Sequence, residues 1–258
     1  MKFLPILLLA EAALGAHLTH QRRENHAKHA QGLVRQSRPK QVNGVTDILE
    51  TEYSDNWAGG VITSTDITAV NGTIVVPKVT APADGTASKR YSASAWVGID
   101  GYTCTTAIVQ TGVDFCVEAG NLSFSSWFEW YPNYAYDFSM AISEGDVIEM
   151  SVTATTNTTG SVMLDNLTTG KTVSHEFTGN VQGDLCRTNA EWIVEDYEES
   201  SSLVSFADFG NFTFTHARAV VKGETVGPKS GSVMEMKQDD TLLTSCSVTT
   251  DEVNCVYN

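Results

Sequence analysis

Positive charge is scarce in this chain: 16 Lys and Arg stand against 31 Asp and Glu in 258 residues. The imbalance is steeper past the N-terminus. Seven of the basic and five of the acidic residues lie in 1–52, which leaves nine against 26 for the remainder, a net charge of −17. Such a body repels phosphate backbones, which excludes nucleic acid as a partner. It also repels itself at neutral pH and less so as carboxylates protonate, which suits an acidic medium. Metal-binding patterns are missing too: there is no Cys-x-x-Cys and, beyond residue 52, no paired-histidine spacing, so no metal or other cofactor is expected. Only His175 and His216 lie beyond residue 52, and Ser174, beside His175 in a strand-like run, points to the opposite face. With no Gly-x-Ser-x-Gly elbow and no Asp-Thr-Gly or Asp-Ser-Gly pair, serine and pepsin-like mechanisms are both unsupported.

Long apolar runs are also lacking, apart from one at the start. Lys2, the run from Phe3 to Ala10 and the small residues Ala12, Ala13, Gly15 and Ala16 read as a secretory signal over 1–16, too short to span a bilayer. The protein is expected to be secreted, without a membrane anchor. Residues 17–52 hold four of the six histidines (His17, His20, His26 and His29) and a cluster of Lys and Arg. A basic leader before an acidic body reads as a removable propeptide that neutralises it, with a disordered linker as the plainer alternative. Hydrophobic residues at 41% against 18% charged support one globular unit over 53–258.

Helical periodicity of useful length is absent as well. What is present is a series of short alternating segments, over 73–76, 93–99, 107–111, 125–131, 146–154, 161–165, 172–177, 191–197 and 212–221, broken by Gly, Asn, Asp, Thr and Ser. The fold class this implies is all-β, an antiparallel sandwich. Five cysteines in a secreted chain favour disulfides and leave one over; Cys246 and Cys255, flanking a turn, make the easiest local pair. Asn-x-Ser/Thr sequons at Asn71, Asn121, Asn157, Asn166 and Asn211 are candidate glycosylation sites.

Strand parity picks out one stretch. In AEWIVEDYEE (190–199), Glu191, Ile193, Glu195 and Tyr197 share one face, and Trp192, Val194 and Asp196 the other. Carboxylates are costly in strands, so this is either a solvated acidic face or a cleft that uses a carboxylate for acid/base work. Parity does not rank Glu191 against Glu195. The same alternation puts Trp127, Glu129 and Tyr131 opposite Phe128 and Trp130, and Trp96 and Asp100 opposite Ala95, Val97 and Ile99. Aromatic-plus-carboxylate faces backed by apolar ones build a groove for an extended polymer; the plainer account is that the aromatics cap the rim of the core. Gln110, in TAIVQTGVDF just before a Thr-Gly bend, is an amide in an apolar strand and needs its hydrogen bonds made there.

Taken together, SDNWAGG (54–60), AWVGIDG (95–101), TAIVQTGVDF (106–115), WFEWYP (127–132), SEGDVIEMSVTATT (143–156), NLTTGKTVS (166–174) and LCRTNAEWIVEDYEE (185–199) resemble the fungal glutamic peptidases, or eqolisins, and the likeness runs from about Tyr53 to Asn258. The resemblance implies a sandwich of two bent antiparallel sheets with a concave cleft, and a secreted, pepstatin-insensitive acid endopeptidase with a Gln–Glu dyad. It maps the dyad onto Gln110 and Glu195, supporting positions onto Trp96, Asp100, Asp114 and Glu129, and cleft-lining positions onto Trp57 and Gly59. It pairs Cys104 with Cys186 and Cys246 with Cys255, leaving Cys116 single. Polypeptide substrates and the chain's own propeptide are the implied partners, and a monomer is expected. Glu195, as a base working in acid, is expected not to have a strongly raised pKa. The alternative from another class is a carbohydrate-binding or glycoside-hydrolysing sandwich, which would need Glu129 or Glu191 opposite Glu195 rather than Gln110.

Overall fold

A computed structural model describes residues 51–133, 135–199 and 202–258; the signal over 1–16 and all but the last two residues of the propeptide over 17–52 lie outside them. The strands are, in chain order, β1 (Thr51–Ser54), β2 (Trp57–Thr63), β3 (Ile67–Val75), β4 (Tyr91–Ile99), β5 (Ile108–Glu118), β6 (Asn121–Tyr131), β7 (Tyr136–Asp137), β8 (Val147–Ala154), β9 (Thr159–Asn166) and β10 (Lys171–Thr178). They continue with β11 (Asn189–Glu195), β12 (Glu198–Glu199), β13 (Ser202–Leu203), β14 (Asn211–Val221), β15 (Glu224–Val226), β16 (Ser232–Gln238), β17 (Thr241–Leu242), β18 (Thr244–Val248) and β19 (Val253–Tyr257). Among the described residues the only helical turn is a short 3-10 segment, Pro228–Ser230.

Two sheets face each other. One runs β1-β16-β2-β11-β4-β5-β6-β7 with β17 beside β16, and the other β10-β9-β8-β3-β14-β19-β18 with β15 beside β14. The pairing of named strands is antiparallel except at one edge, where β1 lies parallel to β16 with Ser54 opposite Met236. Parity decides what lies between the sheets. Ala95, Val97 and Ile99 of β4, Val109 and Val113 of β5 and Trp192 and Val194 of β11 join Ile74, Met150, Val152 and Phe214 of the facing sheet in one core. Trp192 spans it, and its Nε1 donates to the main-chain oxygen of Asn71 on β3 at 2.8 Å, so the indole is buried with its polar atom satisfied.

The other face of the first sheet carries its own smaller cluster: Trp57, Val61, Trp96, Tyr102, Trp127, Ala135, Ile193 and Met234. The first sheet is therefore apolar on both sides, which accounts for fully buried runs such as Tyr91–Ile99 and Asn189–Glu195. Two disulfides, Cys104–Cys186 and Cys246–Cys255, are formed, and Cys116 is a buried free thiol.

Two expectations need correction. The Thr111–Gly112 step is not a bend, because β5 continues through it to Glu118. Gly112 is needed in mid-strand, since a Cβ there would lie 2.6 Å from Trp96 Cβ and 2.9 Å from Trp127 Cζ2; its absence lets two tryptophans meet over the strand. Asn166 is not a surface sequon. It is fully buried, its Nδ2 donates to Asp146 Oδ2 at 2.8 Å and its Oδ1 accepts from the backbone N–H of Thr168 and Thr169, so the nitrogen a glycan would occupy is engaged inside a turn. Asn121, Asn157 and Asn211 are exposed, and Asn71 is partly buried with Nδ2 on the His216 carbonyl.

Candidate active site

The outer cluster is laid out in cross-strand rows, because residues in register on neighbouring strands share a face. One row runs Glu129, Gln110, Gly98, Glu191 across β6, β5, β4 and β11. The next runs Trp127, Gly112, Trp96, Ile193, and the third Ser125, Asp114, Ser94, Glu195, Trp57. Five strands thus bring Gln110, Glu129, Asp114, Glu191 and Glu195 onto one face together with Trp57, Trp96 and Trp127.

Each polar group has a distinct setting. Both oxygens of Glu195 are gripped by neutral donors: Trp96 Nε1 reaches Oε2 at 2.8 Å and Asn56 Nδ2 reaches Oε1 at 3.3 Å. Neutral N–H groups aimed at both oxygens stabilise the negative charge without pairing it off with a cation. Trp57 packs edge-on against Trp96, with centroids 4.9 Å apart, and fixes the indole that supplies the shorter bond. On β5, Gln110 Nε2 donates to Glu129 Oε2 at 2.6 Å, while its Oε1 is buried with no protein hydrogen-bond partner. An amide orphaned at one end and tethered at the other is held in a set orientation, with one Nε2 proton still to give. Ser94 Oγ donates to Asp114 Oδ1 at 2.7 Å.

Glu191 differs from Glu195 although they share a face. It is fully buried, neither carboxyl oxygen has a hydrogen-bond partner, and burial followed by the nearby Asp100 carboxylate pushes its pKa well above the ordinary carboxylate range. It lies below the floor of the site, where burial favours its protonated form. Asp100, also fully buried, lies at the far end of β4 and accepts backbone N–H bonds from Arg187 and Thr188 at 2.7 Å and from Asn189 at 3.2 Å. It anchors the entry to β11 beside the Cys104–Cys186 disulfide. Asp100, Cys104 and Cys186 lie close enough to suggest a metal cluster, but both sulfurs are used in the disulfide.

Gly59 is a backbone requirement: its φ is 145° and a Cβ would lie 2.0 Å from the Trp192 carbonyl oxygen, so it keeps β2 and β11 in register rather than presenting a group to solvent. Asn56 belongs to the site and was not singled out from the sequence, although it lies within SDNWAGG. The available signal was a buried amide beside a cleft tryptophan, the same kind of signal that selected Gln110.

The Peptidase A4 family matches residues 55–257, nearly all of the described chain. Aspergillopepsin-2 of Aspergillus niger is 49% identical over 281 aligned positions, covering 100% of both chains. The chain belongs to the peptidase A4 family. Scytalidopepsin B of Scytalidium lignicola, another relative of this eqolisin family, is 40% identical over 96% of this chain and 94% of its own. A scytalido-glutamic peptidase crystallised with a peptide-based transition-state analogue superposes with a TM-score of 0.71 at 42% identity, covering 79% of this chain and 98% of that one. As a peptidase A4 member with this fold, the chain is a glutamic-type acid endopeptidase, and the carbohydrate alternative falls away.

Proposed function

We propose that the chain hydrolyses peptide bonds with Glu195 as general base and acid and Gln110 as the donor to the developing oxyanion. The observation that carries this reading is the contrast between the two glutamates on β11: Glu195 is held by two neutral donors and keeps some exposure, whereas Glu191 is sealed and neutral. Glu195 takes a proton from water as its oxygen attacks the carbonyl carbon. Gln110 donates its second Nε2 proton to the carbonyl oxygen as charge builds there, and Glu195 then passes the proton to the amide nitrogen as the C–N bond breaks. A neutral amide partner avoids the like-charge coupling of an aspartate pair. Trp57, Trp96, Asp114 and Glu129 frame the site, with Glu129 setting the rotation of the Gln110 amide.

The relative bound to a peptide-based analogue supports an extended polypeptide as substrate. Secretion, and removal of a propeptide ending near Tyr53, belong to the same reading; a junction at that residue would lie within β1 (Thr51–Ser54). The deciding assay is casein digestion in acid by the matured protein. Glu195→Gln is expected to abolish turnover and Gln110→Ala to reduce it by about 10²–10³. Wild-type turnover in either variant would remove that residue from the dyad. N-terminal sequencing of Glu195→Gln after acidification tests self-maturation, which the variant should fail to complete.

A further inference from the structure

Glu195 Oε1 is reached by a residue that lies outside the strands of the site. Asn56 occupies the turn between β1 and β2; it is 6% exposed, and its Nδ2 donates to Glu195 Oε1 at 3.3 Å. The amide is not free to rotate. Its Oδ1 accepts from Ser54 Oγ at 3.2 Å, and Ser54 Oγ in turn accepts the backbone N–H of Asn56 at 3.3 Å and of Trp57 at 3.1 Å. This is a serine-closed turn of the kind that satisfies the backbone locally. The turn is fastened from two further sides. The Asn56 carbonyl accepts the N–H of Asp196, the residue after Glu195, at 2.9 Å. Gln238 Nε2 donates both to the Asp55 carbonyl and to Asp196 Oδ2, each at 2.8 Å. Ser54 is itself fixed as the last residue of β1, opposite Met236.

We propose that Asn56, clamped by Ser54, is a positioning residue that holds the Glu195 carboxylate in its ionised, base-competent orientation, so that the β1–β2 turn is part of the working site. The inference rests on the reading of Glu195 as the base. Trp96 grips one oxygen and Asn56 the other, and two donors on opposite oxygens restrict rotation of the carboxyl more than either does singly. The other groups that face Glu195 are Trp57 on β2, Ser94 on β4 with Asp114 behind it on β5, and Glu191 along its own strand. Asp196, next in sequence, feels the Glu195 charge, and the Lys237–Asp240 pair lies further out along β16 and the turn after it.

The test is the pH profile of kcat and kcat/KM on a peptide substrate. Asn56→Ala should lower kcat about tenfold with little change in KM and move the acid limb of kcat/KM upward by about one pH unit, because the ionised base loses a donor. Asn56→Asp is the sharper probe. Protonated, its O–H can replace the amide donor; ionised, it sets a second negative charge against Glu195, so its activity relative to wild type should fall as pH rises. Ser54→Ala, which frees the amide without touching Glu195, should shift the acid limb the same way by less, and it carries the test with Asn56→Asp if the alanine variant does not fold. A merely structural role would lower the melting temperature and leave the acid limb in place. Folded variants with wild-type kcat and an unmoved acid limb overturn the proposal. If Glu195→Gln is inactive in that case, only the positioning role has failed; if Glu195→Gln still turns over, the dyad itself has failed.

Discussion

At the scale of the residue, one chemical change made at two positions on β11 should have opposite outcomes. Glu191→Gln replaces a buried acid, already neutral, by a neutral isostere, so activity in acid should stay within a few-fold of wild type. Its melting temperature should exceed that of wild type by a margin that grows toward neutral pH, where the folded wild type must hold a proton that the unfolded chain releases. Glu195→Gln should keep the fold and lose turnover. Comparing melts and initial rates of the two variants checks both arms. Trp96 offers a second contrast. Trp96→Phe keeps a ring beside Trp57 but removes the N–H that lies 2.8 Å from Glu195 Oε2, so kcat should drop about tenfold while the melting temperature falls modestly. Strand parity put Glu191 and Glu195 on one face of their strand and set Trp96 and Trp127 opposite the apolar side of theirs, while Trp57 came only from the family resemblance. Parity could not separate Glu191 from Glu195, because their difference lies in donors supplied by Asn56 and by Trp96, 139 and 99 residues away in the chain.

At the scale of the element, β11 is the strand that must not slip, since a one-residue shift would turn Glu195 into the inter-sheet core. Its N-terminal end is tied twice. The Asp100 carboxylate collects the N–H groups of Arg187, Thr188 and Asn189, and the Cys104–Cys186 disulfide closes a separation of 82 residues. In the chain-entropy picture such a closure stabilises by about 4–5 kcal/mol. Replacing both cysteines by alanine should therefore lower unfolding free energy by several kcal/mol, read by urea titration, and should reduce activity before global unfolding if β11 loosens first. The strands with clean alternation were legible: 93–99 and 191–197 lie within two residues of β4 and β11. Strand β2 was not, because WAGGVIT has two glycines and no alternation. Gly59 is demanded by close approach to the β11 backbone and Gly60 sits against Val253 and Val248 of β19 and β18, tertiary facts with no local signature. The early part of β5 was legible, but Gly112 looked like a stop for the same reason.

At the scale of the whole molecule, three buried carboxyls make stability a function of pH. Burial pushes Asp196 up to about 8, against an ordinary value of 3.8, with the Gln238 hydrogen bond opposing and the Glu195 charge adding to the rise. Burial likewise raises Glu191 and Glu235, the latter against hydrogen bonds from Cys246 N–H and Thr244 Oγ. For each group the folded state holds its proton more tightly than the unfolded chain does. The stabilisation is complete below the unfolded value and is lost as pH climbs, for Asp196 between 3.8 and about 8. The mutual repulsion of an acidic body acts in the same direction. Melting temperature should therefore be highest in acid and decline steadily toward pH 8. Asp196→Asn, which cannot ionise and can still meet Gln238, should flatten the decline between pH 5 and about 8 while leaving the acid plateau nearly unchanged. A wild-type curve that rises with pH over this range would contradict the assignment. Because Asp196 is joined through Gln238 to the turn that carries Asn56, its ionisation strains the support of Glu195 as well as the fold. Loss of activity on alkaline exposure should thus begin at lower pH than loss of secondary structure, and Asp196→Asn should bring the two transitions together.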